Sequence, residues 1–187
     1  MKLSEVVVFN RIDLASIIPN PRLLVVEDDK DSAEQIISVL EPLGIDARHA
    51  ADGQAGLQLT YDFGPDVILT DINMPRMRGD EMVIELCRLG FKKPIILMTG
   101  FNITPVAVLA LRYRVFDILE KPIATERLGI AVFKAFEFEA HRQMQEERVT
   151  SAMNLLMNAT PSQEAHQVMD MVERGARELY LQRRTKA

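Results

Sequence analysis

Cysteine occurs once in the 187 residues, at Cys87, and tryptophan not at all. A lone cysteine excludes a disulfide within the chain and makes a reducing compartment, the cytoplasm, the expected location. No apolar run approaches the roughly 18–20 residues that cross a bilayer, so no membrane partner is expected. The opening "MKLSEVVVFNRIDLAS" interrupts its apolar stretch with Glu5, Arg11 and Asp13, a pattern unsuited to a secretory leader. Excess positive charge is missing as well: the net charge is −5, so no overall field draws the chain to nucleic acid. The local exception is Arg174, Arg177, Arg183, Arg184 and Lys186 near the C-terminus, for which a solvated face is the ordinary explanation. Against these absences stand 48% apolar and 26% charged residues, ordinary values for a chain with one core. The length suits one domain of roughly 100–150 residues and a smaller appendage.

Five short runs rich in Val, Ile and Leu recur between helical patterns: "RLLVVE" (22–27), "IDARHA" (45–50), "DVILTD" (66–71), "PIILMT" (94–99) and "FDILEK" (116–121). Strands alternating with helices predict a five-stranded parallel sheet covered on both faces, an α/β fold built from five βα units. Helix one carries Ala33, Ile36, Ile37 and Leu40, with Asp31 or Ser32 as cap and Pro42 and Gly44 at its exit. Helix two follows a turn at Asp52 and Gly53 and presents Ala55, Leu57 and Leu59. Met82, Val83, Leu86 and Leu89 make helix three, ending at Gly90. Thr104 and Pro105 read as N-cap and first residue of helix four, and Leu128 to Phe138 carries helix five.

Residues 1–20 read as an N-terminal extension closed by the stiff "PNP", 21–138 as the domain, and 139–187 as a helical connector and C-terminal helical extension for dimerisation or output. Within the extension, "EAHRQMQEER" is helix-prone yet polar nearly all round, so helix five is expected to continue through it as a solvated connector. "SAMNLLM" reads as a short apolar helix, and Thr160, Pro161 and Gln163 as the start of another. Ala165, Val168, Met169, Val172, Ala176 and Leu179 then form an apolar stripe that needs a partner to cover it.

In open parallel sheets the binding crevice lies beyond the carboxyl ends of the strands. Strand one ends in Glu27, Asp28 and Asp29, strand three in Asp71, strand four in Thr99 and strand five in Lys121. Carboxylates gathered without a counter-charge are pushed towards protonation, so such a group asks for a hard cation. Oxygen ligands in a small site suit Mg²⁺. A cation there would neutralise charge as Asp71 attacks a phosphorus atom, with Lys121 and the Thr99 hydroxyl on the transferred oxygens. Asp29 reads as a helix cap or a solvated acid. His49, His141 and His166 lack metal-ligand spacing and read as surface residues, and Cys87 reads as a core residue of an amphipathic helix.

Taken together, "LLVVEDD", "ILTDINMPRMRG", "LMTG" and "EKPI" resemble, in order, the four signature segments of the response-regulator receiver family of two-component signalling. The intervals agree: 43 residues from Asp28 to Asp71, 28 on to Thr99 and 22 on to Lys121. The resemblance covers about residues 22–138 and implies a flavodoxin-like strand order 2-1-3-4-5. It further implies Asp71 as phosphoacceptor, with a histidine kinase or phosphotransfer protein as donor. Asp28 and Asp71 become direct Mg²⁺ ligands, Glu27 a ligand through water, and the Asn73 backbone carbonyl the last protein ligand. Pro122 takes the family's cis position after Lys121. One position departs: where receivers place a Tyr or Phe that moves inward with Thr99, this chain has Ile118. Phe116, Phe101 and Tyr113 are the aromatics near enough to substitute, Phe116 only if its strand is regular.

The implied function is a phosphorylated signalling switch, not an enzyme with turnover, acting through a homodimer or a docked partner. Two alternatives stand beside it. The segment 158–181 resembles the beginning of a LuxR-type helix-turn-helix domain, and "NLLMNATPSQEAH" is weakly similar to ANTAR-type RNA-binding helices, which would make the chain a transcription or antitermination regulator. A phosphatase of haloacid-dehalogenase type would also set an Asp nucleophile and Mg²⁺ at a strand end. Such an enzyme needs a second Asp two residues on as general acid, where this chain has Asn73.

Overall fold

The computed structural model describes Leu14, residues 17–100 and 103–159, and Asp170. Five parallel strands, β1 (Arg22–Val26), β2 (Asp46–Ala50), β3 (Val67–Asp71), β4 (Ile95–Thr99) and β5 (Asp117–Glu120), pair in the order β2-β1-β3-β4-β5. Helices α1 (Lys30–Leu40), α2 (Gly53–Phe63), α3 (Gly79–Arg88), α4 (Ile103–Tyr113) and α5 (Thr125–Ala159) follow the strands in turn. This is the flavodoxin-like α/β architecture expected from the alternating runs.

All five residues of β3 and of β4 are buried, as they must be where helices cover both faces of a central parallel strand. Alternation splits their side chains between two cores. Leu23, Val25, Leu69 and Met98 join α1 and α5 on one face, while Leu24, Val26, Ile68 and Leu97 meet α2, α3 and α4 on the other. Leu128, Ala131, Val132, Ala135 and Phe136 are all buried, the spacing of one helical face turned to the sheet. Leu14 and Ile18, from the segment read as an extension, are buried in this same core.

Several local expectations need correction. Of the residues offered as caps for α1, Asp29 takes the role and Asp31 and Ser32 do not: its carboxylate accepts from the Ser32 N–H at 2.7 Å. The α1 exit is as read, with Pro42 in a 3₁₀ turn (Glu41–Leu43) and Gly44 at φ 70°. In α2 the fully buried residues are Gly53, Gly56, Thr60 and Phe63; Leu57 and Leu59 pack against the core only partly buried, and Ala55 is exposed. Leu89 is 72% exposed, because α3 ends at Arg88 and Leu89 only caps it. Thr104 lies inside the first turn of α4, which begins at Ile103.

The separate apolar helix expected over "SAMNLLM" does not exist as such. α5 runs unbroken for 35 residues, because from Glu139 to Ala159 the chain contains no Gly or Pro to stop it. The chain divides between His141 and Arg142 into two compact units. In the second, the described part of α5 exposes Met144, Val149, Leu155 and Met157, and Arg142 pairs with Glu146 at 2.5 Å one turn along. The helix start at Thr160, the stripe 165–179, the basic residues after 173, His166 and Phe101 lie outside the described residues. Among the described residues no helix is long and apolar enough to cross a membrane.

Candidate functional site

The strand order reverses between β1 and β3, which are hydrogen-bonded neighbours although β2 lies between them in sequence. A crevice at the carboxyl ends follows from that reversal, and the polar ends named from the sequence meet there. Carboxylate oxygens of Glu27, Asp28 and Asp71 lie within 4.8 Å of one another. Glu27 and Asp71 are buried and Asp28 is exposed, so the cluster has a dry floor and an open rim.

Lys121 reaches across from the end of β5. Its ammonium donates to Glu27 Oε2 at 2.7 Å and also bonds Asp71 Oδ2. Burial pushes the Glu27 carboxyl above its ordinary 4.5; the Lys121 contact opposes this and the Asp71 charge adds to it. For Lys121, burial alone would lower the ammonium, but the bonds to Asp71 and Glu27 outweigh it and hold the group above 10.5. The cation is therefore firmly protonated between two carboxylates. The Lys121–Pro122 peptide is cis. Thr99 is buried at the end of β4 in register with Glu120, and its carbonyl accepts the Lys121 N–H at 2.7 Å.

Asn73 is exposed in the loop after β3, and its N–H donates to Asp71 Oδ1 at 3.1 Å. That loop closes on itself through the Gly79 N–H and the Ile72 carbonyl at 3.0 Å. A Cβ on Gly79 would sit 1.9 Å from the Asp71 carbonyl oxygen, so only glycine permits this closure.

Ile118 lies within β5, two residues before its end at Glu120. It pairs in register with Leu97, which belongs to the core on the α4 side. Phe116 packs with the opposite core, its ring 5.5 Å from that of Phe138 on α5. In a regular strand residues 116 and 118 would share a face, and here the strand starts only at Asp117. Tyr113 closes α4 and packs in the α4-side core.

Three contributors escaped the sequence. His49, read as a surface residue, is half-buried and its Nε2 lies 2.7 Å from the Glu27 carbonyl oxygen. Asp52, read as part of a turn, is buried and caps α2 through the Ala55 N–H at 2.8 Å. Arg76, at φ 63°, bonds the other Asp52 oxygen. "DG" before a helix signals the cap, but nothing in the spacing of 24 residues signals the ion pair. Cys87 is half-buried, as a core residue should be, with Sγ 3.5 Å from the Tyr113 carbonyl oxygen and its thiol pushed up by burial.

The chain resembles known proteins over this same region. It is 34% identical over 123 residues to regulatory protein AtoC of Escherichia coli (strain K12), covering 65% of this chain and 26% of that one. Nodulation protein W of Bradyrhizobium diazoefficiens is 28% identical over 153 residues, 82% of this chain and 66% of the relative. This chain thus spans only part of the length of each. Among solved structures, the receiver domain of Francisella response regulator 1452 superposes with a TM-score of 0.60 at 31% identity, covering 63% of this chain and 98% of that domain. The signal receiver domain of a Luxo repressor protein from Vibrio parahaemolyticus reaches 0.65 at 24% identity, with 68% and 98% covered, and speaks for the fold alone. Residues 23–133 match the family model described as the response regulator receiver domain, and with four strand ends meeting in one acidic crevice on that fold, the chain belongs to the response regulator receiver family.

Proposed function

We propose that this receiver takes a phosphoryl group onto Asp71 from a histidine kinase or phosphotransfer protein, and that phosphorylation changes the association of the chain. The observation that carries the reading is the convergence of Asp71, Lys121 and the Glu27–Asp28 pair at one sheet edge, with Thr99 at the next strand end. An Asp71 carboxylate oxygen attacks phosphorus as the bond to the donor's imidazole nitrogen breaks. The electron pair leaves with the ring, which takes up a proton. Lys121 is protonated and within reach, so its ammonium can leave the carboxylates for the transferred oxygens, and the Thr99 hydroxyl can donate to another.

Three hard oxygen ligands within 4.8 Å are a donor set that suits Mg²⁺. Asp28 and Asp71 would bind it directly, Glu27 through a water and Asn73 through its carbonyl. When bound, the ion offsets the negative charge shared by the carboxylates and the phosphoryl oxygens. Asp71 would be a phosphoacceptor with slow self-hydrolysis and not the nucleophile of a turnover enzyme, because Asn73 stands where a dehalogenase-type phosphatase needs an aspartic acid. The setting is the cytoplasm of a bacterium. The output would be a homodimer or docked partner engaged through the helical segments, for which the exposed Met144, Val149, Leu155 and Met157 speak.

The test is incorporation of label from ³²P-acetyl phosphate in Mg²⁺ by the full chain. Uptake that vanishes in Asp71→Asn is expected; equal uptake by the variant would remove Asp71 from the role. Light scattering with and without beryllofluoride reads the assembly, and a mass of one chain under both conditions would end the dimer reading.

A further inference from the structure

The loop after β3 is fastened not only to its own strand but to the preceding βα connection. Asp52 is 3% exposed, and both of its carboxylate oxygens are engaged. Oδ1 accepts the Ala55 N–H at 2.8 Å, while Oδ2 accepts Arg76 Nε at 2.6 Å and also bonds Arg76 Nη2. Next to it the Gly53 N–H donates to the Met77 carbonyl at 3.0 Å. A Cβ on Gly53 would come within 2.8 Å of that same oxygen, so α2 and the loop approach as closely as a glycine allows.

Arg76 holds φ 63°, a conformation uncommon for a residue with a side chain, which persists where the surroundings over-determine it. Here the surroundings are Asp52 and Gly53. With its base closed by Gly79 and its tip held by α2, the loop has its two ends fixed and Asn73 between them. Asn73 is the residue whose N–H orients Asp71.

We propose that Asp52 and Arg76 are a positioning pair, which fixes the Asn73 main chain against Asp71 and thereby sets the affinity of the acidic cluster for Mg²⁺ and the rate of phosphoryl uptake. The uptake half of the proposal rests on the reading of Asp71 as acceptor; the metal half does not. Neither residue touches the reacting atoms. Both act through the loop. The Asp52 carboxyl sits below its ordinary 3.8, first through the Ala55 N–H, with burial opposing and Arg76 adding, which agrees with a charged pair at neutral pH.

Two substitutions separate the pair from its surroundings. Asp52→Asn keeps an oxygen to cap α2, since Asn caps about as well as Asp, but turns a donor towards Arg76. Arg76→Gly keeps access to the left-handed conformation and removes the guanidinium. Lys93→Ala is the control, because it breaks the Lys93–Asp66 pair of 3.0 Å at the amino ends of the strands. In the full chain, isothermal titration with Mg²⁺ is expected to show each member of the pair weakened by about tenfold, as for lost outer contacts around a metal. The double variant should be no weaker than the worse single one, and Lys93→Ala should lower the melting midpoint without changing Mg²⁺ affinity. The Asn73 amide resonance should shift in both single variants.

Parent-like Mg²⁺ affinity in folded Asp52→Asn and Arg76→Gly would overturn the proposal, as would an equal loss in Lys93→Ala. Label retained by Asp71→Asn would end the acceptor reading alone, since the Mg²⁺ titrations would still decide the pair. A parent chain that binds no Mg²⁺ would overturn both.

Discussion

Lys121 sets the electrostatic state of the metal-free site. Its ammonium lies between Glu27 and Asp71, where two unit charges 4 Å apart interact by about 1 kcal/mol in water and about 4 kcal/mol at an effective dielectric of 20. Lys121→Met keeps the stem and removes the charge, leaving two buried carboxylates that repel. The variant is expected to lose about 1–3 kcal/mol of stability without metal, the cost of stranding buried charged acceptors. It should also bind Mg²⁺ at least about fivefold more tightly, by the lower of those two interaction figures, while taking up phosphate more slowly. Chemical denaturation and Mg²⁺ titration read both effects, and unaltered Mg²⁺ affinity would show that the ammonium does not compete with a cation. At this scale the sequence was informative: Glu27, Asp28, Asp71, Thr99 and Lys121 were legible because each closes a strand. Asp52, Arg76 and His49 were not, because their contacts join segments whose approach depends on how two βα connections pack.

Among the elements, the loop between β3 and α3 is the least tolerant of change. In Gly79→Ala the new methyl would meet the Asp71 carbonyl oxygen at 1.9 Å, which no side-chain rotation relieves. Gly44→Ala meets nothing within 4 Å and bears only the strain of φ 70°. A melting comparison is therefore expected to cost Gly79→Ala about 3 kcal/mol, at the upper end of overpacking, and Gly44→Ala about 1 kcal/mol, that of one residue in a sparse conformation. Only Gly79→Ala should also slow phosphoryl uptake. Equal penalties would mean that the loop yields at Gly79. The existence of β1, β3, β4 and β5 was readable from their apolar runs, while β2, with only alanines for apolar residues, was readable from its place between two helical patterns. Element faces were less so: the buried face of α2 and the exposed Leu89 depend on which side meets the sheet, whereas the length of α5 was legible in the absence of Gly or Pro from Glu139 to Ala159.

For the whole molecule, pH dependence follows from three displaced groups. Asp52 is held below 3.8, so its stabilisation is present above pH 3.8 and disappears as the pH falls through its folded value. Glu27 is raised above 4.5; the folded chain holds that proton more tightly, so ionising it costs stability as pH rises from 4.5 through the folded value. Lys121 is raised above 10.5, which gives stability that is full below pH 10.5 and lost as pH climbs through the folded value. Thermal midpoints of the metal-free chain are expected to drop below about pH 3.8 and again above about pH 10.5. Asp52→Asn should flatten the acid limb and Lys121→Met the alkaline one. An alkaline limb unchanged in Lys121→Met would assign it to other groups.

The alternation of strand-like runs with helical patterns, and the polar residue closing every run but that of β2, were set by the sequence alone. Side-chain period and strand length are local properties, and burial on two faces forces an uninterrupted apolar strand. Tertiary structure alone decided which ends are neighbours at short range, which face Phe116 joins, that Leu14 and Ile18 enter the core, and that Arg76 reaches Asp52. Those outcomes depend on the packing of segments distant in sequence, and no residue's own chemistry carries that information.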